Sequence, residues 1–224
     1  MPARLKGRPS SPAPQDVAIG VRRLAGLLRV PPDAAGVVVF AHGSGSSRLS
    51  RRNNYVADEL GRAGFATLLF DLLSEQEGLD RRNVFDVARL GARMVEALDW
   101  VRERPELATL PVGLFGASTG AAAALIAAAE CPAVVQAVVS RGGRPDLAGE
   151  ALARVHAPTL LIVGGADYGV IELNEAAAAA LGAEHALVLV PGATHLFEEP
   201  GALEAVVGHA AAWFRRHLGS RAAA

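Results

Sequence analysis

Ser118 lies at the centre of the pentapeptide Gly116–Gly120, which has a Gly-x-Ser-x-Gly pattern. An apolar run, Pro111–Phe115, precedes it and an alanine-rich run, Ala121–Ala129, follows it. A serine at such a strand-to-helix turn is held in a strained backbone conformation, and glycine two residues before and after leaves room for the turn. The pattern can also arise by chance, so the flanking elements and later partners must support it. It predicts a nucleophilic serine whose hydroxyl projects from the top of a sheet.

A nucleophilic serine needs a base, and the base needs a group that orients it. Asp167 ends the run Gly164–Asp167 after one apolar strand, and His195 ends the run Pro191–His195 after the next. In one large class of serine hydrolases the order along the chain is serine, acid, histidine, each at the carboxyl end of a strand. We therefore predict that His195 is the general base and that Asp167 fixes its tautomer. Asp146 is the alternative acid, although its position is typical of a helix N-cap.

The loop after the first central strand is the second candidate element of the site. His42 begins the run His42–Ser47 directly after the apolar strand Gly36–Ala41. Because this loop supplies an oxyanion donor in such hydrolases, we predict that the backbone N–H groups of Ser44 and Thr119 bind the oxyanion. His42 is a candidate substrate-binding residue. The alternative is a phosphate-binding loop, but no Gly-Lys-Ser/Thr sequence follows it.

Arg141 follows the apolar strand Val134–Ser140, whose carboxyl end should lie beside Ser118. A guanidinium at that place can hold a substrate carboxylate through two parallel hydrogen bonds. The alternative is an arginine tied to a neighbouring acid or to a helix end. A second basic group is interpreted as the solvated start of a helix and consists of Arg48, Arg51 and Arg52.

Apolar runs of strand length alternate with helical patterns along most of the chain. A hairpin of Val17–Val21 and Arg23–Val30 opens it, and helices include Asn54–Ala63, Asp86–Glu103 and Ala202–Leu218, with a charged connection over Ser74–Arg82. This alternation predicts an α/β fold with a mostly parallel central sheet and helices on both faces. The segment between the strands Val134–Ser140 and Thr159–Gly164 has room for only a short helix, Asp146–Val155. We therefore expect no large cap domain.

Length and composition predict one domain over residues 16–220, preceded by a disordered leader over residues 1–15. With 22 basic and 23 acidic residues the net charge is −1, which gives no electrostatic basis for binding nucleic acid or an anionic membrane. The single cysteine excludes a disulfide within the chain. No His, Cys and Asp cluster has metal-ligand spacing, so we expect no metal and no cofactor. Because neither a signal peptide nor an apolar span is evident, a cytoplasmic location is expected.

The chain resembles the α/β-hydrolase superfamily and, within it, the small dienelactone hydrolase-like proteins that lack a lid. The resemblance runs from about Val17 to Leu218 and is carried by Ala41–Gly45, Gly116–Gly120, Gly164–Asp167 and Gly192–Phe197. It implies hydrolysis of ester-type substrates. Dienelactone hydrolases proper have cysteine at the nucleophile position, whereas this chain has Ser118. That departure makes a carboxylesterase a better expectation than activity on dienelactones.

These observations predict a cofactor-independent serine hydrolase that cleaves small esters, with short acyl chains preferred, through the triad of Ser118, His195 and Asp167. A thioesterase or lactonase with the same triad is the alternative within hydrolysis. A ligand-binding protein that kept the fold without catalysis is the alternative of a different class, since a fold does not establish a function.

Overall fold

A central sheet of eight strands organises the computed structural model, which describes residues 11–219. The strands are β1 (Gln15–Ile19), β2 (Leu24–Arg29), β3 (Val37–Ala41), β4 (Ala66–Phe70), β5 (Val112–Ala117), β6 (Val135–Arg141), β7 (Thr159–Gly164) and β8 (His185–Val190). Their order across the sheet is β1-β2-β4-β3-β5-β6-β7-β8. Strand β2 is antiparallel to both of its neighbours, β1 and β4, and β3 to β8 are parallel. The predicted mostly parallel sheet and its opening hairpin are confirmed.

Helices cover both faces of this sheet. They are α1 (Arg51–Arg62), α2 (Glu75–Gly78), α3 (Arg81–Val84), α4 (Val87–Glu103), α5 (Thr119–Glu130), α6 (Tyr168–Ala180) and α7 (Ala202–Leu218), with a 3₁₀ segment at Pro145–Arg154. Side chains of α4 and α5 share one apolar core with Val37 and Val39 of β3. Side chains of α1 and α7 share the other with Val38 and Phe40. The alternation of β3 residues between the two cores follows from the two-residue period of a strand.

The sheet order fixes where the chemistry-bearing loops meet. Strands β3, β5, β6, β7 and β8 are adjacent in the sheet in that order and run parallel. Their carboxyl ends therefore lie at one edge of the sheet. The loops that follow them carry His42, Ser118, Gly142, Asp167 and His195. Ligands of open α/β sheets bind at this edge, so the topology brings the candidate residues to the expected place.

Several element boundaries differ from those predicted. Helix α1 begins at Arg51, three residues before the expected Asn54, because the Ser50 hydroxyl accepts the N–H of Asn53 and caps the helix. The connection predicted as merely charged contains α2 and α3. The predicted short helix after β6 is the 3₁₀ segment, broken at Gly149, and no cap domain is present between β6 and β7.

The predicted leader lies mostly outside the described residues, and Gln15 already belongs to β1. Within residues 11–219 no helix has both the length and the apolar character needed to cross a membrane.

Candidate active site

Ser118 forms the turn between β5 and α5. Its backbone has φ 52° and ψ −125°, a conformation that non-glycine residues rarely adopt. A Cβ atom on Gly116 would overlap the backbone of Ala121, and one on Gly120 would overlap the carbonyl oxygen of Ala41. Both glycines are therefore required by backbone contact. The Ser118 side chain makes no capping hydrogen bond to α5, although it sits at the N-cap position.

The His195 ring and the Asp167 carboxylate are brought together by the loops after β8 and β7. His195 Nδ1 lies 2.7 Å from Asp167 Oδ2. This hydrogen bond places the proton on Nδ1 and leaves Nε2 as the nitrogen that can accept a proton. A Cβ on Gly164 would overlap the carbonyl oxygen of Ala193, so the close approach of the two loops depends on glycine. Asp167 is the N-cap of α6 but does not cap it, which leaves its carboxylate to the histidine.

Ser118 and His195 line one cavity of about 260 Å³. Gly43 lies against the serine, since a Cβ there would be 2.9 Å from Ser118 Cβ. Asp146, the alternative acid, instead receives two hydrogen bonds of 2.8 Å from the guanidinium of Arg144. Asp167 is therefore the carboxylate that is hydrogen-bonded to His195, whereas Asp146 is paired with Arg144.

The two residues whose backbone N–H groups are the predicted oxyanion donors are joined by a hydrogen bond. Thr119 is the first residue of α5, and the first N–H groups of a helix have no partner within it. The Ser44 N–H donates to Thr119 Oγ1 at 2.9 Å. That bond ties the loop after β3 to the start of α5 and places the Ser44 amide near the helix end. An oxyanion would have to share or replace this bond, so the role of Ser44 stays a prediction.

His42 is held by backbone groups on both sides of its ring. Nδ1 lies 2.9 Å from the carbonyl oxygen of Gly43, and Nε2 accepts the N–H of Leu72 at 3.1 Å. Nδ1 must therefore carry the proton, and the ring is neutral in this arrangement. Burial lowers the pKa of His42. With both nitrogens engaged, the arrangement favours a role in joining the loops after β3 and β4 over direct substrate binding.

Arg141 is a buried cation at the end of β6, with 7% of its surface exposed. One terminal nitrogen donates to Asn53 Oδ1 at 3.2 Å, while Nε has no hydrogen-bond partner among the described residues. No carboxylate within residues 11–219 lies within ion-pairing distance of it. Burial, and secondarily the positive charge of Arg52, lowers the pKa of Arg141 to about 10. The side chain lines the cavity of Ser118, so its charge is available to a bound anion.

Sequence analysis interpreted Arg52 as part of a solvated helix start and did not single out Asn53 or Phe197 as functional residues. Arg52 and Asn53 line the cavity because α1 begins earlier than expected, and Arg52 also pairs with Glu198 at 2.7 Å. Phe197 has φ 55° and is buried, with its ring centroid 5.8 Å from the Arg141 guanidinium. The Ser50 cap was the one local signal for the helix start, whereas nothing in the sequence indicates a left-handed phenylalanine.

One family model and two curated proteins match most of the chain. The model of the dienelactone hydrolase family matches residues 24–217. Two curated Mycobacterium tuberculosis proteins, each named Putative phosphoribosyl transferase, are 58% identical over 202 residues. That match covers 90% of this chain but only 46% of theirs, so the chain spans about half the length of these relatives.

Solved structures agree with the family. The crystal structure of a dienelactone hydrolase from Anabaena variabilis is 55% identical and has a TM-score of 0.87, covering 91% of this chain and 98% of that one. Est1E from Butyrivibrio proteoclasticus shares the fold at 17% identity, with a TM-score of 0.75 and coverage of 91% and 98%. The family model and the Anabaena variabilis structure support a hydrolase. The chain belongs to the dienelactone hydrolase family.

Proposed function

We propose that the protein is a serine hydrolase that cleaves small carboxylic esters through an acyl-enzyme, without a cofactor. The observation that carries the proposal is the 2.7 Å contact between His195 Nδ1 and Asp167 Oδ2, in a site where His195 and the strained Ser118 line the same cavity. A serine hydroxyl attacks a carbonyl at neutral pH only when a base removes its proton. An oriented histidine in the same cavity as the serine is the arrangement that does so.

The reaction proceeds in two halves. Ser118 Oγ forms a bond to the carbonyl carbon while its proton passes to His195 Nε2, and the imidazolium then protonates the departing alkoxide as the C–O bond breaks. Water next loses a proton to His195 and attacks the acyl-enzyme, which releases the acid and restores the serine. Asp167 keeps the imidazole in the productive tautomer and stabilises the imidazolium.

The negative charge that develops on the carbonyl oxygen needs donors already in place. The N–H of Thr119 is at the positive end of the α5 dipole, and that of Ser44 lies in the adjoining loop. Loss of one such donor typically costs about 3 kcal/mol in transition-state stabilisation. We assign the oxyanion site to these two amides, with the Thr119 hydroxyl giving up its bond to Ser44 when substrate binds.

We further propose that Arg141 binds a carboxylate on the substrate. A guanidinium that is buried and has no carboxylate partner among the described residues is unfavourable in an empty site, and an anion in the cavity compensates for its charge. The substrates are then half-esters or related molecules with an anionic group near the scissile bond. His42 supports the oxyanion loop in this proposal.

Other candidate functions are the hydrolysis of lactones or thioesters, phosphoribosyl transfer, and ligand binding without catalysis. Lactones and thioesters would use the same residues, and the name of the Anabaena variabilis relative favours the lactone. Phosphoribosyl transfer, suggested by the name of the mycobacterial relatives, is less favoured because that name describes proteins of which this chain spans 46%. A ligand-binding protein without catalysis would retain the cavity but not a reactive serine.

The decisive experiment is covalent labelling with a fluorophosphonate probe, which reacts only with an activated serine. We expect the native protein to label and to release p-nitrophenol from p-nitrophenyl acetate. Ser118→Ala should abolish labelling, and His195→Ala should slow it by a factor of 10³ or more. A native protein that is folded but neither labels nor turns over would refute the hydrolase and favour the binding protein.

A further inference from the structure

A second cavity lies on the other side of the oxyanion loop. It has a volume of about 230 Å³ and lies between the loops after β3 and β4 and the segment that holds α2 and α3. Gly43, Ser44 and Ser46 line both this cavity and the one that contains Ser118 and Arg141. One loop therefore separates two cavities, and that loop carries the Ser44 amide.

Three polar residues that line the second cavity have hydrogen-bonding atoms engaged elsewhere. His42 uses both ring nitrogens on backbone groups, and Asp71 uses both carboxylate oxygens on Arg48. The Ser74 hydroxyl accepts the N–H of Glu77 in a capping box. These contacts reduce the capacity of the cavity wall to bind a polar ligand, and its other charged residue, Glu75, is exposed.

Apolar side chains complete the wall. Leu72 is fully buried and Leu90 is 4% exposed, while Leu73 and Val84 are half-buried. The first cavity differs in character, because it presents the charged groups of Arg141 and Arg52. The two sides of the oxyanion loop thus suit chemically different groups.

We infer that this second cavity binds an apolar group of the substrate, of about the size of one aromatic ring, while the carboxylate lies against Arg141. The inference rests on the proposed ester hydrolysis. Ser44 lines both cavities, so a carbonyl whose oxygen is held there can direct one of its two substituents into each. An apolar cavity of about 150 Å³ is known to hold benzene. A volume of about 230 Å³ therefore accommodates a ring with a short substituent.

The test compares two fluorophosphonate probes that differ only in one group on phosphorus, methyl or benzyl. The phosphonate resembles the tetrahedral intermediate, and the variable group on phosphorus takes the place of the acyl chain. We expect the native protein to react at least tenfold faster with the benzyl probe than with the methyl probe.

Filling the cavity should remove that preference. Val84→Trp and Gly78→Phe add bulk to its wall, and a Cβ atom at Gly78 meets no atom within 4 Å, so the backbone should accept the second substitution. Both should lose the tenfold preference and keep the methyl-probe rate within about twofold. Leu79→Trp is the matched control, because Leu79 belongs to the same segment but is 79% exposed and does not line the cavity.

The outcomes separate the two proposals. If the native protein reacts with neither probe, ester hydrolysis itself is wrong and the inference falls with it. If it reacts with both at equal rates, or if the filled variants keep the native preference, the hydrolase stands and the apolar subsite is refuted. Parallel loss of both rates in a folded filled variant would equally refute a selective subsite.

Discussion

Replacing Arg141 with methionine should separate substrate recognition from stability. The fall in its pKa to about 10 means that the empty site holds the positive charge at a cost of about 3 kcal/mol. At neutral pH the group is still protonated, so the folded protein bears this cost throughout the physiological range. Methionine has a similar reach and no charge. We therefore expect Arg141→Met to have a free energy of unfolding equal to or higher than that of the native protein.

Activity should change in the opposite direction, and only for anionic substrates. Removing one partner of a buried, hydrogen-bonded charge pair typically costs about 2 to 5 kcal/mol, which corresponds to a loss of roughly 30-fold to several thousandfold in kcat/KM. Monoethyl succinate and diethyl succinate provide a matched anionic and neutral ester. Arg141→Met should lose this factor on the first and remain within about threefold of native on the second.

The control is Arg144→Met, which removes a nearby arginine that is paired with Asp146. It should leave the preference between the two esters unchanged. Equal loss on both esters in Arg141→Met, accompanied by lower resistance to urea, would show that the side chain is structural and would refute the assignment of a carboxylate site.

Three further predictions concern the remaining parts of the site. Asp167→Asn should lower kcat by about 10⁴ with little change in unfolding temperature, whereas Asp146→Asn should leave kcat near native; the reverse pattern would exchange the two acids. Gly120→Ala places a methyl group against the carbonyl oxygen of Ala41 and should lower the free energy of unfolding, measured by urea titration, by at least about 1 to 3 kcal/mol. Native-like stability of this variant would contradict the turn geometry at Ser118. Burial lowers the pKa of His42 in the folded state, so the unfolded chain binds a proton first as pH falls below 6.5 and the free energy of unfolding should decline there. His42→Gln should show a smaller decline of the free energy of unfolding with pH, and a decline equal to that of the native protein would contradict the assignment to His42.

The positions of Ser118, Asp167 and His195 in the fold could be predicted because each residue has a local signal. Gly116 and Gly120 predict the turn at Ser118, and apolar runs end shortly before Asp167 and His195. Parallel strands then require all three loops to meet at one edge. Short patterns were sufficient here because the sheet supplies the long-range part of the geometry.

Other contacts depend on tertiary structure and have no comparable signal. The His42 ring accepts the N–H of Leu72 thirty residues away, and the Ser44 amide donates to Thr119, which is further still along the chain. Helix α2 is stabilised partly by the contact of Glu77 with buried Arg93 at 2.7 Å. Its Ser74 and Glu77 capping box could have been noticed in the sequence, since a serine followed three residues later by glutamate is a helix-start pattern.

Two unfavourable features lie together at the cavity of Ser118, and their coincidence bears on function. Ser118 and Phe197 are non-glycine residues with positive φ, a conformation that costs on the order of 1 to 3 kcal/mol each. The ring of Phe197 lies beside Arg141, whose charge has no carboxylate partner within the described residues. A fold selected for stability alone would relax these features, because an apolar residue at 141 and glycine at 118 would remove two of the costs. Both features are instead consistent with the proposed hydrolysis of anionic esters, because the strain fixes the serine and the unpaired charge can bind an anion.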